Sequence, residues 1–202
     1  MRFLILLLFF ASSVSAQPLA VTNTFSNNTV ADATDINQNF ADIVDGVNDR
    51  LRTEDSYPHN TAFGFDALSS VSGGYANTAI GSRALEHETG GGGNTAVGVY
   101  ALRDANGGYG NVAVGYQSLV NNTVGDDNVA VGQNTLAGNT EGENNTGVGE
   151  YALFNNTSGN VNTGIGKSAL SGNQTGGGNT GVGYNALGTN SSGSYNTAIG
   201  FN

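Results

Sequence analysis

The chain contains no cysteine, so neither a disulfide nor a thiolate metal site holds it together, and stability has to come from backbone ladders and packing. Charge is scarce as well. Asp, Glu, Lys and Arg make up 11% of the 202 residues, and only 6 of them are Lys or Arg. A formal charge of -10 with so few cations argues against nucleic acid or anionic lipid as a partner, and favours solubility. Long apolar runs are confined to the first sixteen residues, and no later stretch is apolar enough to cross a bilayer as a helix. Both prolines, Pro18 and Pro58, precede residue 60; the remainder is free of the residue that blocks strand pairing on both sides.

What is present divides into segments. Arg2, the apolar run Phe3 to Ala11 and the mostly small stretch Ser12 to Ala16 read as a secretory signal peptide over residues 1–16. The mature protein is therefore expected to be secreted, extracellular or at the cell surface. Residues 17–31 are polar and read as extended. Residues 32–52 read as a helix, with Asp32 as its cap and Asp35 at the positive end of the dipole. Within it Ile36, Phe40, Ile43, Val47 and Leu51 recur at spacings of 4, 3, 4 and 4, the narrow stripe of a coiled coil. Self-association covers such a stripe; docking on its own chain is the alternative. Residues 53–59 form a linker.

From residue 60 to 202 one period governs everything. Asn60, Asn77, Asn94, Asn111, Asn128, Asn145, Asn162, Asn179 and Asn196 recur every 17 residues without a slip. Counting from each Asn as zero, offset 4 is always Gly (Gly64, Gly81, Gly98 and onward) and offset 3 always bulky and apolar, from Phe63 to Ile199. Offset 8 is Leu in all eight complete units (Leu68, Leu85, Leu102 and onward), and offset 14 is Gly, from Gly74 to Gly193. A fixed period without insertions means that each unit stacks on the last in the same way. Such strictness also outweighs the disorder that 32 Gly would suggest.

The expected fold is an all-β solenoid, a parallel β-roll or β-helix of 17-residue coils, eight full repeats and a partial ninth, preceded by the short coiled-coil helix. In Asn94 to Gly98 the alternation puts Thr95 and Val97 on one face and Asn94, Ala96 and Gly98 on the other. The expectation is that the β-branched face points inward, so that Val and Leu columns fill a thin interior. A second short strand is expected at Tyr100 to Leu102, and the Gly at offset 14 is expected to need a positive φ. The Asn at offset 0 is expected to stack into an amide ladder.

The segments Asn60 to Leu68 (NTAFGFDAL) and Asn77 to Leu85 (NTAIGSRAL) resemble the head repeats of trimeric autotransporter adhesins of the YadA type. They look still more like the N-T-A-x-G-x-x-A-L repeats of phage tail-fibre and related bacterial surface proteins. The resemblance runs from Asn60 to Asn202 and implies a left-handed parallel β-roll trimer joined to coiled-coil stalks.

Chemistry finds little purchase. No G-x-S-x-G or P-loop is present. The G-x-G runs at Gly147, Gly164 and Gly181 arise where Gly replaces Ala inside the repeat. His59 and His87 have no ligand-spaced partner and read as surface residues. Asp126 and Glu143 share one offset in adjacent coils, with Asp127 and Glu141 close by; a calcium site there competes with solvated turn charges. The aromatic residues Phe65, Tyr100, Tyr116, Tyr151 and Tyr184 could line an interchain contact or a glycan-binding strip. Thr at offset 1 in seven of nine units raises ice binding, interrupted by Val112 and Val129. A catalytic protein would break the repeat somewhere to build a site. The expected protein is therefore non-enzymatic and cofactor-free: a homotrimeric fibre or adhesive rod meeting a host or surface receptor or glycan, or alternatively an ice- or surface-binding solenoid or a tail-fibre shaft.

Overall fold

The computed structural model describes residues 59–202; the signal-peptide, extended and coiled-coil segments, with Ile36, Phe40, Ile43, Val47 and Leu51, lie outside the described residues. Nine strands of three residues form one parallel sheet in sequence order: β1 (Thr61–Phe63), β2 (Thr78–Ile80), β3 (Thr95–Val97), β4 (Val112–Val114), β5 (Val129–Val131), β6 (Thr146–Val148), β7 (Thr163–Ile165), β8 (Thr180–Val182) and β9 (Thr197–Ile199). Each pairs with the same offset of the next, Thr61 with Thr78 through to Thr180 with Thr197. The repeat period is thus one coil, and coil 1 begins at Asn60. Eight steps of the inter-strand spacing make a sheet about 38 Å long. No helix occurs among the described residues.

The rest of each coil is turns, but these too are bonded coil to coil. Leu102 N–H donates to Ser118 O at 3.0 Å, and Tyr100 N–H to Ser82 O at 3.0 Å. The expected second strand is absent there. Tyr100 has φ 61° and Leu102 φ 49°, and the same two offsets are left-handed in every complete coil, which an extended strand does not allow. A left-handed Leu costs roughly 1–2 kcal/mol. Its side chain recovers about 1.5–3 kcal/mol by burial, and Leu85 through Leu170 are fully buried.

The strand is turned the other way from the expectation. Ala79, Ala96, Ala113 and Ala130 are completely buried, whereas Thr95 and Val97 are only partly covered and face outward. The reason is the thickness of the coil. A Cβ placed on Gly164 would lie 3.2 Å from Leu153 Cγ and 3.1 Å from Ala169 O. The strand lies directly on the leucine column, leaving room for a methyl group and none for valine.

The offset-14 glycines also differ from the expectation, since none of them has a positive φ. Their constraint is proximity: a Cβ on Gly108 would come 2.6 Å from Gly125 O in the coil above. Positive φ falls instead at offset 4, where Gly98 has φ 138°.

The Asn ladder forms as expected. Asn111 N–H donates to Asn94 Oδ1 at 2.9 Å, and Asn111 Nδ2 donates both to Asn94 Oδ1 at 3.2 Å and to Gly125 O at 2.8 Å. The pattern repeats up to Asn196. From Asn60 to Asn179 these amides are buried with both ends satisfied, which is what keeps a polar column inside a thin core affordable.

Candidate functional site

Because the small residues point inward, two straight columns stand on the outside of the sheet. One is Thr61, Thr78, Thr95, Val112, Val129, Thr146, Thr163, Thr180 and Thr197. The other, about 6.6 Å away across the strand, is Phe63, Ile80, Val97, Val114, Val131, Val148, Ile165, Val182 and Ile199. Ile80 is 41% exposed and Val131 37%, rising to 72% at Phe63 and 79% at Ile199. Neither column holds a charged side chain in any of the nine strands. A continuous apolar row of this length is an unusual thing to leave facing water.

The two margins of this wall differ. On the side that leaves the strand stand Phe65, Val99, Tyr116, Tyr184 and Phe201, all well exposed. Tyr184 and Phe201 stack with ring centroids 5.0 Å apart and planes at 11°. The same margin carries the ion pair of Lys167 with Glu150 at 2.9 Å, and that carboxylate holds the Lys167 amine above its ordinary pKa. On the side that enters the strand stand Asp126, Asp127 and Glu143, at the middle of the rod.

Of the acids raised from the sequence as calcium ligands, Asp126 bonds through its carboxylate, and Asp127, Glu141 and Glu143 through their own backbone N–H groups. Asp126 Oδ1 accepts the Tyr109 N–H at 2.7 Å, and the Asp127 N–H donates to Tyr109 O at 2.9 Å. The Glu143 N–H donates to Asn160 Oδ1 at 2.7 Å, and the Glu141 N–H to Thr157 O at 3.1 Å. Among the described residues no group of three or more His, Cys, Asp or Glu is placed to hold a metal ion. Of the aromatic residues, Tyr100 and Tyr116 meet edge to face at 6.3 Å, and Tyr151 packs on Phe154 at 5.3 Å.

A polar cluster that the sequence reading passed over lies in coils 2 and 3. His87 Nδ1 and Asp104 Oδ1 are 2.9 Å apart, and Arg103 grips Asp104 through Nε at 2.8 Å and Nη2 at 2.6 Å. The Arg103 hydrogen bond, followed by that of His87, holds the Asp104 carboxyl below its usual range; the same contact with Asp104 raises Arg103. Arg83 and Arg103 lie 5.9 and 5.6 Å from the centre of the Tyr100 ring. The signal was present: His87 and Asp104 are one period apart, and in a solenoid one period means touching. His59 is exposed, with φ 137°.

The chain matches no known family model, no curated protein and no solved structure. What stands of the likeness to adhesin and tail-fibre repeats is the parallel β-solenoid with 17-residue coils.

Proposed function

We propose that this protein is a non-enzymatic structural rod of an extracellular or cell-surface fibre, and that three copies assemble through the strand wall. The observation that carries the reading is the double outward column without a single charge. Copies of an acidic chain repel one another on their other walls, and can approach closely only where charge is missing. Two copies facing each other would cover a strip roughly 38 Å by 10 Å, about 400 Å² each; stable pairs usually need about 800 Å² per partner. Around a three-fold axis each chain also adds both margins to its neighbours. Unlike margins then meet, whereas an antiparallel pair would set Asp126, Asp127 and Glu143 against their own copies. The leader-like residues 1–16 support export, and the apolar stripe of Ile36 to Leu51 supports parallel association. Sedimentation equilibrium of residues 17–202 should return three chain masses; a monomer at micromolar concentration would refute the assembly.

A second reading draws support from the outward turn of the Thr column. Seven threonines in one outward column, interrupted at Val112 and Val129, suit a monomer that binds ice or another ordered surface. Thermal hysteresis at micromolar protein, with a monomeric mass, is the outcome that would favour it over the fibre.

A further inference from the structure

Asn106 and Gly107 form the one Asn-Gly step in the chain, and its surroundings are unlike those of the other asparagines. Asparagines of the buried columns have both ends of the amide bonded, as at Asn111. Asn106 is exposed at a bend, and its Nδ2 meets no acceptor among the described residues. The Gly107 N–H likewise donates to nothing there, and a Cβ on Gly107 would find open space. The hydroxyl one coil below completes the arrangement. At offset 12 the hydroxyls of Ser72, Thr123, Thr140 and Thr157 donate to the backbone carbonyl of the next coil. Thr89 departs from this and donates to Asn106 Oδ1.

We propose that Asn106-Gly107 is a self-modifying site, at which the folded chain converts Asn106 to aspartate and its β-linked isomer with water as the only co-reactant. The Gly107 amide nitrogen, after giving its proton to hydroxide, attacks Asn106 Cγ. The new C–N bond closes a five-membered imide, the Cγ–Nδ2 bond breaks, and Nδ2 takes a proton and leaves as ammonia. Water then opens the imide at either carbonyl. The Thr89 hydroxyl points at the oxygen that becomes negative during the attack, the placement that stabilises an oxyanion. Opening toward the β-linked isomer adds a backbone atom to a coil whose length is otherwise invariant. The bond from Asn106 N–H to Thr123 O, 2.9 Å in the intact coil, is the first to suffer.

The test is incubation of the full chain at mildly alkaline pH, with ammonia release measured and peptide mass mapping used to locate the exchange. Asn106 should convert several-fold faster than the exposed Asn121, Asn144 and Asn155. Thr89→Val should slow it several-fold with the circular dichroism unchanged, and Thr89→Ser should restore the rate. Conversion spread evenly over the exposed asparagines would overturn the site. A rate indifferent to Thr89→Val would overturn the assistance from Thr89.

Discussion

Coils 1 to 3 and coils 4 to 8 share every offset that defines the period, yet they are held together differently at offset 11. From coil 4 onward that place is Asn122, Asn139, Asn156, Asn173 and Asn190, a second amide ladder in which each Nδ2 above the first donates to the Oδ1 below at 2.6–3.0 Å. In the first three coils the column is Val71, Glu88 and Ala105. Glu88 is fully buried; its carboxylate accepts the N–H of Gly90 at 2.9 Å and that of Gly91, and meets Asn94 Nδ2 at 3.4 Å. The carboxylate is satisfied mainly within its own coil and reaches the next only through the longer contact with Asn94 Nδ2, whereas each Asn rung ties two coils by a short bond between like amides. In an array stabilised by nearest neighbours, the first coils should therefore open before the later ones.

The largest expected effect tests whether the difference really lies in the ladder and not in the core. Leu85→Ala and Leu136→Ala should each cost about 2–5 kcal/mol by cavity formation, and by similar amounts, because both leucines are fully buried in equivalent places. Urea unfolding of the two variants checks this; a much larger loss at either site would move the difference into the core. Next, Asn139→Ala should cost roughly 1–3 kcal/mol, since it leaves the buried Oδ1 of Asn122 without its donor and takes one of two acceptors from the Nδ2 of Asn156. The comparison sharpens if Ala105→Asn, which adds a rung below Asn122, gains about 1 kcal/mol and slows amide exchange in coils 3 and 4.

Smaller effects follow from the strand interior. Gly147→Ala should destabilise more than Gly164→Ala, because the new methyl would meet Thr135 Cγ2 at 2.6 Å in the first case and Leu153 Cγ at 3.2 Å in the second. Thermal unfolding of both variants ranks them, and equal midpoints would contradict the packing account. The smallest concerns pH. Asp104 has a depressed pKa in the fold, so its contribution is present above the ordinary carboxylate value of 3.8 and is lost as pH falls through the lower folded value. Asp104→Asn should flatten the acid limb of the stability curve for coils 2 to 4 and leave coils 5 to 8 unchanged.

Much of this architecture was readable from residue spacing. The coil length, the parallel order, the Leu column and the first Asn ladder all follow from side chains that recur at one offset, because equal spacing along the chain becomes vertical stacking in space. The second Asn ladder and the pair of His87 with Asp104 obey the same rule and were legible in principle, though each is broken by unlike neighbours such as Val71 and Ser70. Less legible were the turns, since Tyr100 and Leu102 adopt left-handed φ that their residue types do not advertise.

By itself the sequence determined the repeat: which residues stack, how many coils stack, and that Ala or Gly must touch something closely at offset 2. Only the tertiary structure decided which side of the strand that something lies on. Alternation separates Thr95 and Val97 from Ala96 but carries no sign. The sign came from the distance between two walls of one coil, where leucine fills the interior and leaves space for a methyl group alone.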